Sequence, residues 1–128
     1  MATNQYHPPL SPAQIEELRE FDTPTIANAI ELIDPSWDRV SGIMEPRIRS
    51  LFPEKKPLVG YATTLLSETR HPATSKKFYL NNEDYWRYIV TVPKPRVSVC
   101  QDISQPPALG ALWGEVQANI HIALGCVG

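Results

Sequence analysis

The chain has 128 residues and a formal net charge of −2, with 42% hydrophobic and 20% charged residues. This size and composition predict one folded domain over residues 1–128 and argue against disorder. The slightly negative charge lacks the basic surface that nucleic acid or an anionic membrane attracts, so we expect neither as a partner. The sequence contains no signal-peptide pattern, no long apolar run and no disulfide framework, which together predict a cytoplasmic protein.

Two helices are predicted in the first half of the chain, after an extended tail over residues 1–10. Ser11–Gln14 carries the capping-box pattern of a helix start, with proline at the first helical position. Asp22 or Thr23 is expected to cap the second helix, which Pro24 opens. Residues 34–57 are predicted to be irregular. The second helix is expected to bury an apolar stripe formed by Ile26, Ala29, Ile30 and Ile33.

Strands and helices alternate in the second half. The predicted elements are a strand over Leu58–Leu66 with a close backbone approach at Gly60, a polar loop over 67–77, a helix capped by Asn81 or Asn82, a strand over Arg96–Cys100, and a helix over Gly114–Leu124 with Val116, Ile120 and Ala123 on one side. This interleaving predicts the α/β fold class. The strand, loop and helix at residues 96–125 predict the front of a βαβ crossover, whose second parallel strand begins at Val127–Gly128.

The long loop over residues 101–113 is the main candidate for a binding site, because such loops are usually functional or disordered when they exceed about 12 residues. Gly110 and Gly114 permit unusual backbone angles. The loop amides and the free N–H groups of the following helix can bind a carboxylate or a phosphate. Glu115 then has two interpretations: it complements the helix dipole, or it contacts a divalent cation beside an anionic substrate. Spacing alone favours the first of these.

Other candidate residues are weaker. His7, His71 and His121 show no metal-ligand spacing, and His121 is expected to be a second-face or core histidine rather than a ligand. Asp102 lies where open sheets place ligands, but turn formation explains it equally well. Neither cysteine has a visible base partner, so thiol catalysis is not expected. Core and interface positions are predicted for the aromatic residues Tyr85, Trp86 and Tyr88.

Several segments carry a resemblance to a known family. They are Phe21–Glu31, Arg47–Pro53 with Leu58–Thr64, Val97–Asp102, Ala111–Ala118 and Gly125–Gly128. Together they resemble the RraA-like family, which includes regulators of ribonuclease E activity and the class II 4-hydroxy-4-methyl-2-oxoglutarate aldolases, formerly named dimethylmenaquinone methyltransferases. The resemblance extends from about Leu18 to Gly128, and its last part is the most specific.

The resemblance implies a swivelling β/β/α-type sandwich that assembles as a trimer or hexamer. It implies a lyase that cleaves 4-hydroxy-2-oxo acids by a retro-aldol reaction, or decarboxylates oxaloacetate, to give pyruvate. A divalent metal, Mg²⁺ or another such as Mn²⁺, would act as the Lewis acid. The substrate carboxylate would be bound by Gly110, Ala111, Leu112, Trp113 and Gly114.

Glu115 takes the place of the family's acidic residue, which acts on the metal directly or through its water shell. Many of the aldolases have aspartate there. The family pattern continues with an Asp-Gly-x-x-Arg-Asp stretch that these 128 residues do not contain. The resemblance therefore implies the N-terminal portion of the domain, incomplete at its C-terminus and inactive alone. The alternatives are a non-catalytic regulator that binds an RNA-degrading enzyme, and a non-functional truncation product.

Overall fold

The computed structural model describes residues 9–68, 82–107 and 110–128, and the chain forms two compact units, residues 1–59 and 60–128. The first unit contains α1 (Pro12–Leu18), α2 (Thr23–Ile33) and a 3-10 turn (Val40–Gly42); the second contains β1 (Tyr61–Ser67), α3 (Asn82–Thr91), β2 (Arg96–Asp102) and α4 (Glu115–Ala123). The predicted mixed α/β class is confirmed. Most of the predicted tail and of the loop 67–77 lies outside the described residues, and in the described part no helix has the length and apolar character of a membrane span.

Both helices of the first unit begin at side-chain caps. The Ser11 hydroxyl accepts a hydrogen bond from the Gln14 amide, and the Ser11 amide donates to Gln14 Oε1 at 2.8 Å, which confirms the predicted capping box. In α2 the cap is Asp22 and not Thr23, since Asp22 Oδ1 accepts a hydrogen bond from the Thr25 amide at 2.9 Å. The hydrogen bond from the Thr25 side chain, and then the one from its amide, lower the pKa of Asp22 below its ordinary value.

The predicted buried stripe of α2 is largely wrong. Ile26 is half-buried, whereas Ala29 and Ile30 are exposed and Ile33 is 83% exposed. Helical spacing determines which side chains share a face, but burial requires a packed neighbour. In the described part of the first unit, most of this face remains open to solvent.

The second unit is built on a parallel pair of strands. β1 and β2 pair in register from Tyr61 with Arg96 to Ser67 with Asp102, and α3 lies in the connection between them. The strand begins later than predicted, at Tyr61, whose amide donates to the Pro95 carbonyl at 2.8 Å. The close approach at Gly60 is confirmed, since a Cβ there would lie 2.8 Å from the Pro95 carbonyl oxygen.

A second crossover follows β2, as the sequence predicts. After α4 the chain turns at Gly125, which has a φ of +84°, and Cys126 forms a parallel bridge with Arg96. The Arg96 carbonyl accepts from the Val127 amide, and the Ser98 amide donates to the Gly128 carbonyl, both at 2.8 Å. The first residues of β2 therefore have backbone partners on both sides, and an isolated parallel bridge lies where the βαβ prediction expects its second strand to begin.

The core of the second unit contains Tyr85, Ile89 and Cys126, packed against the half-buried side chains of Leu65, Trp86 and Leu124. Of the residues predicted to share one side of α4, Ile120 is half-buried, whereas Val116 and Ala123 are exposed. The buried side chain of α4 is His121, only 4% exposed. Both of its ring nitrogens have hydrogen-bond partners inside the unit, as a buried polar side chain requires.

A buried arginine joins the ends of both helices of the second unit. Arg96 is 6% exposed, and its guanidinium donates to the Val92 carbonyl at 2.6 Å, to the Val90 carbonyl at 3.0 Å and to the Leu124 carbonyl. The last carbonyls of a helix lack partners within the helix and carry its negative dipole end. Arg96 therefore satisfies the C-terminal ends of α3 and α4 together.

Candidate functional site

The predicted binding loop lies between β2 and α4. β2 extends to Asp102, so the loop begins later than the predicted residue 101, and residues 108–109 lie outside the described part. Asp102 Oδ1 accepts a hydrogen bond from the Ser104 amide at 2.9 Å, which supports its interpretation as a turn residue. Residues 110–114 are irregular, and all but the half-buried Leu112 are exposed.

Gly114 is the N-cap residue of α4, and it offers no side chain to the first turn of the helix. The first intrahelical bond runs from the Ala118 amide to the Gly114 carbonyl at 2.9 Å. The preceding amides therefore have no partner within the helix and are suited to an external anion. The space is open as well, since a Cβ on Gly114 would meet no atom within 4 Å.

The expectation that Gly114 serves an unusual backbone conformation is wrong. Its φ of −146° and ψ of −178° describe extended backbone, which any residue adopts. A glycine at this position leaves the amides of α4 uncovered rather than permitting an unusual turn. Among the described glycines, the left-handed conformation belongs to Gly125.

Glu115 is the first residue of α4, and its side chain is exposed. Because α4 runs back along β2 to the bridge at Cys126, its first residue lies toward the carboxyl ends of the strands, where open α/β sheets bind ligands. The described residues contain no group of three or more histidine, cysteine, aspartate or glutamate side chains that could hold a metal. One carboxylate fits Mg²⁺, which usually keeps several waters and takes one or two carboxylates together with substrate oxygens.

A chain of polar contacts lies next to this loop, within the second unit. The Trp113 and His121 rings meet edge to face, with centroids 4.7 Å apart and planes at 68°. His121 Nδ1 lies 2.7 Å from the Gln117 carbonyl, and Nε2 lies 2.9 Å from the Tyr85 hydroxyl. That hydroxyl lies 3.2 Å from the Ser98 hydroxyl.

The partners of His121 determine which ring nitrogen carries the hydrogen in the neutral tautomers of imidazole. A carbonyl only accepts, so Nδ1 carries the hydrogen and donates to Gln117. Nε2 then accepts from the Tyr85 hydroxyl, which in turn accepts from Ser98. Burial raises the pKa of Tyr85, although the hydrogen bond with Ser98 acts in the opposite direction. Tyr85 is therefore a neutral donor and not a base at neutral pH.

The two cysteines have the properties of structural residues. Burial raises the pKa of both thiols, and at Cys100 the neighbouring carboxylate of Asp102 raises it further. Reactive cysteines have a lowered pKa. The expectation that neither thiol is an activated nucleophile is therefore supported.

The structure thus keeps the predicted loop and Glu115 together at one end of α4, and it adds residues that the sequence did not connect to them. His121 is confirmed as a core histidine, while His7 and His71 lie outside the described residues. Sequence reasoning missed the contact of His121 with Trp113. The available signal was the helical spacing of Gln117 and His121, which are four residues apart and so lie near one side of α4, with Trp113 just before the start of that helix.

Comparison of the chain with protein-family models, with curated proteins and with solved structures gave no match. The RraA-like resemblance therefore stays a prediction from the residues of the chain.

Proposed function

We propose that the chain is the N-terminal portion of a divalent-metal-dependent aldolase or decarboxylase of the RraA-like type. Its substrates would be 4-hydroxy-2-oxo acids or oxaloacetate, and its product pyruvate. The observation that supports this proposal is the combination of the uncovered start of α4 with the exposed carboxylate of Glu115.

The two parts of this arrangement suit the two ends of a 2-oxo acid bound to a metal. The amides at the start of α4 and in the loop 110–114 donate to the substrate carboxylate, with the positive end of the helix dipole behind them. Glu115 holds the cation or its water shell beside that carboxylate. When bound, Mg²⁺ stabilises the negative charge that develops on the enolate oxygen as the carbon–carbon bond breaks.

Calorimetric titration with oxalate, a planar dianion that resembles the pyruvate enolate, tests the proposal. We expect oxalate to bind the 128-residue chain more tightly with Mg²⁺ than without it. Glu115→Gln should remove this increase, whereas Glu54→Gln, which changes an exposed glutamate of the other unit, should not. Equal Mg²⁺ dependence in the two variants would refute the role of Glu115.

Turnover is a separate measurement on the same protein. The 128 residues contain no Asp-Gly-x-x-Arg-Asp stretch, which in the family supplies the substrate-binding arginine and a metal-binding aspartate. We therefore expect Mg²⁺-supported oxalate binding without production of pyruvate from oxaloacetate or 4-hydroxy-4-methyl-2-oxoglutarate. Metal-dependent pyruvate production by the 128-residue chain would contradict the need for that stretch.

A non-catalytic regulator is the second candidate, and the exposed apolar side chains of the first unit favour it. Large apolar residues that are more than half exposed include Leu32, Ile33, Val40, Ile43, Met44, Ile48, Leu51, Phe52 and Leu58. Exposed apolar surface of this kind marks protein contacts. In a pull-down with a purified RNA-degrading enzyme, the double variant Ile33→Asp/Leu51→Asp should abolish retention, while Glu54→Gln should not. Equal retention of both variants would exclude a contact through these side chains.

A further inference from the structure

Trp113 connects the candidate loop to the core of the second unit. It directly precedes Gly114, the residue is 45% exposed, and its ring contacts the His121 ring. A loop with glycines at residues 110 and 114 has large conformational freedom in the absence of such a contact. The placement of the Trp113 ring therefore limits the backbone positions that the loop amides can take.

His121 is itself held on both sides. Its ring cannot rotate without losing the hydrogen bond to the Gln117 carbonyl or the one from the Tyr85 hydroxyl. Tyr85 is buried in the core and has a second partner in Ser98. The buried Tyr85 therefore restricts the position of the His121 ring, and the His121 ring restricts the Trp113 ring of the surface loop.

We infer that Tyr85 and His121 are positioning residues for the anion-binding loop, an inference that rests on the proposed function. They touch no substrate. They hold the Trp113 ring, and through it they order the amides of residues 110–115 before the ligand arrives, which reduces the entropy lost on binding.

Removal of one hydroxyl tests this role with little disturbance of the core. Tyr85→Phe keeps the ring in place and deletes the donor to His121. Tyr88→Phe is the matched control, because Tyr88 belongs to the same helix and its hydroxyl accepts a hydrogen bond from the Thr64 amide instead. We expect the backbone ¹⁵N order parameters of residues 110–115, measured by NMR relaxation, to fall from about 0.85 toward about 0.6 in Tyr85→Phe and to stay unchanged in Tyr88→Phe.

A double-mutant cycle separates positioning from a general loss of stability. Trp113→Ala should lower these order parameters by a similar amount, and adding Tyr85→Phe to it should have no further effect, since both changes break one chain of contacts. Unchanged order parameters in Tyr85→Phe, or additive effects in the double variant, would overturn the inference.

Oxalate titration of the same proteins distinguishes this inference from the proposed function. We expect Tyr85→Phe to weaken Mg²⁺-supported oxalate binding by about two- to tenfold, with Tyr88→Phe equal to the parent chain. If the parent chain binds no oxalate, the proposed function fails, and the order parameters still decide whether Tyr85 and His121 order the loop. If oxalate binds equally to all variants, the positioning role is refuted and the proposed function stands.

Discussion

Replacement of Arg96 by methionine probes the contact between the ends of α3 and α4. The methionine side chain keeps much of the apolar stem but removes the guanidinium, and it leaves the carbonyls of Val90, Val92 and Leu124 without this partner. Hydrogen bonds to a charged group contribute about 1.5–3 kcal/mol each, and bonds that share one side chain are not additive. We therefore expect a loss of about 3 kcal/mol in the free energy of unfolding, close to the cost of breaking a buried ionic contact.

Urea unfolding followed by tryptophan fluorescence measures this loss. In a Trp37→Phe background the signal comes from Trp86 and Trp113, which both belong to residues 60–128. With a slope of about 1.5–2 kcal/mol per molar urea, the midpoint should fall by roughly 1.5–2 M.

The control for this experiment is Arg47→Met. The Arg47 side chain is 77% exposed and pairs with Glu45, so its removal should change stability by less than about 0.5 kcal/mol. Equal midpoints for Arg96→Met and Arg47→Met would show that the three hydrogen bonds of Arg96 do not stabilise the second unit.

Three further predictions concern packing, pH dependence and thiol reactivity. Gly60→Ala should cost about 1–3 kcal/mol in urea unfolding, because its Cβ would press on the Pro95 carbonyl; an unchanged midpoint would contradict this. Asp22→Ala should be less stable than the parent at neutral pH. The lowered pKa of Asp22 means that its contribution to stability is complete above the ordinary aspartate pKa and is lost as pH falls through the lowered value. The stabilities of Asp22→Ala and the parent should therefore converge in acid. The stability difference between Asp22→Asn and Asp22→Ala should not depend on pH in this way. Burial raises the pKa of Cys100 and Cys126, so a disulfide reagent should label both more slowly in the native chain than in urea; equal rates would argue against their burial.

Structural features that depend on residues close together in the sequence were predictable. The capping box at Ser11 depends on residues three apart, and the structure contains it as predicted. The strand over Arg96–Cys100 followed from alternation, and the parallel bridge after α4 followed from the parallel partner that a strand–loop–helix crossover needs. Burial was less predictable, since Ile33 of α2 and Val116 of α4 have helical spacing but remain exposed.

The same division applies to the candidate site. Its contiguous part, residues 110–115, was visible in the sequence as a glycine-containing loop before a helix with an acidic first residue. Its supporting part was not, because Tyr85 and His121 are 36 positions apart, and only the packing of α3 against α4 brings the hydroxyl within 2.9 Å of the ring.

The sequence by itself determined the helix starts, the α/β class and the stretch of chain that presents free amides beside Glu115, because each depends on residues close together along the chain. The tertiary structure decided which face of α4 is buried, which carbonyls Arg96 satisfies and what holds Trp113. These three features depend on hydrogen bonds and ring contacts between residues that are far apart in the sequence, and buried polar groups find such partners only when distant segments pack together.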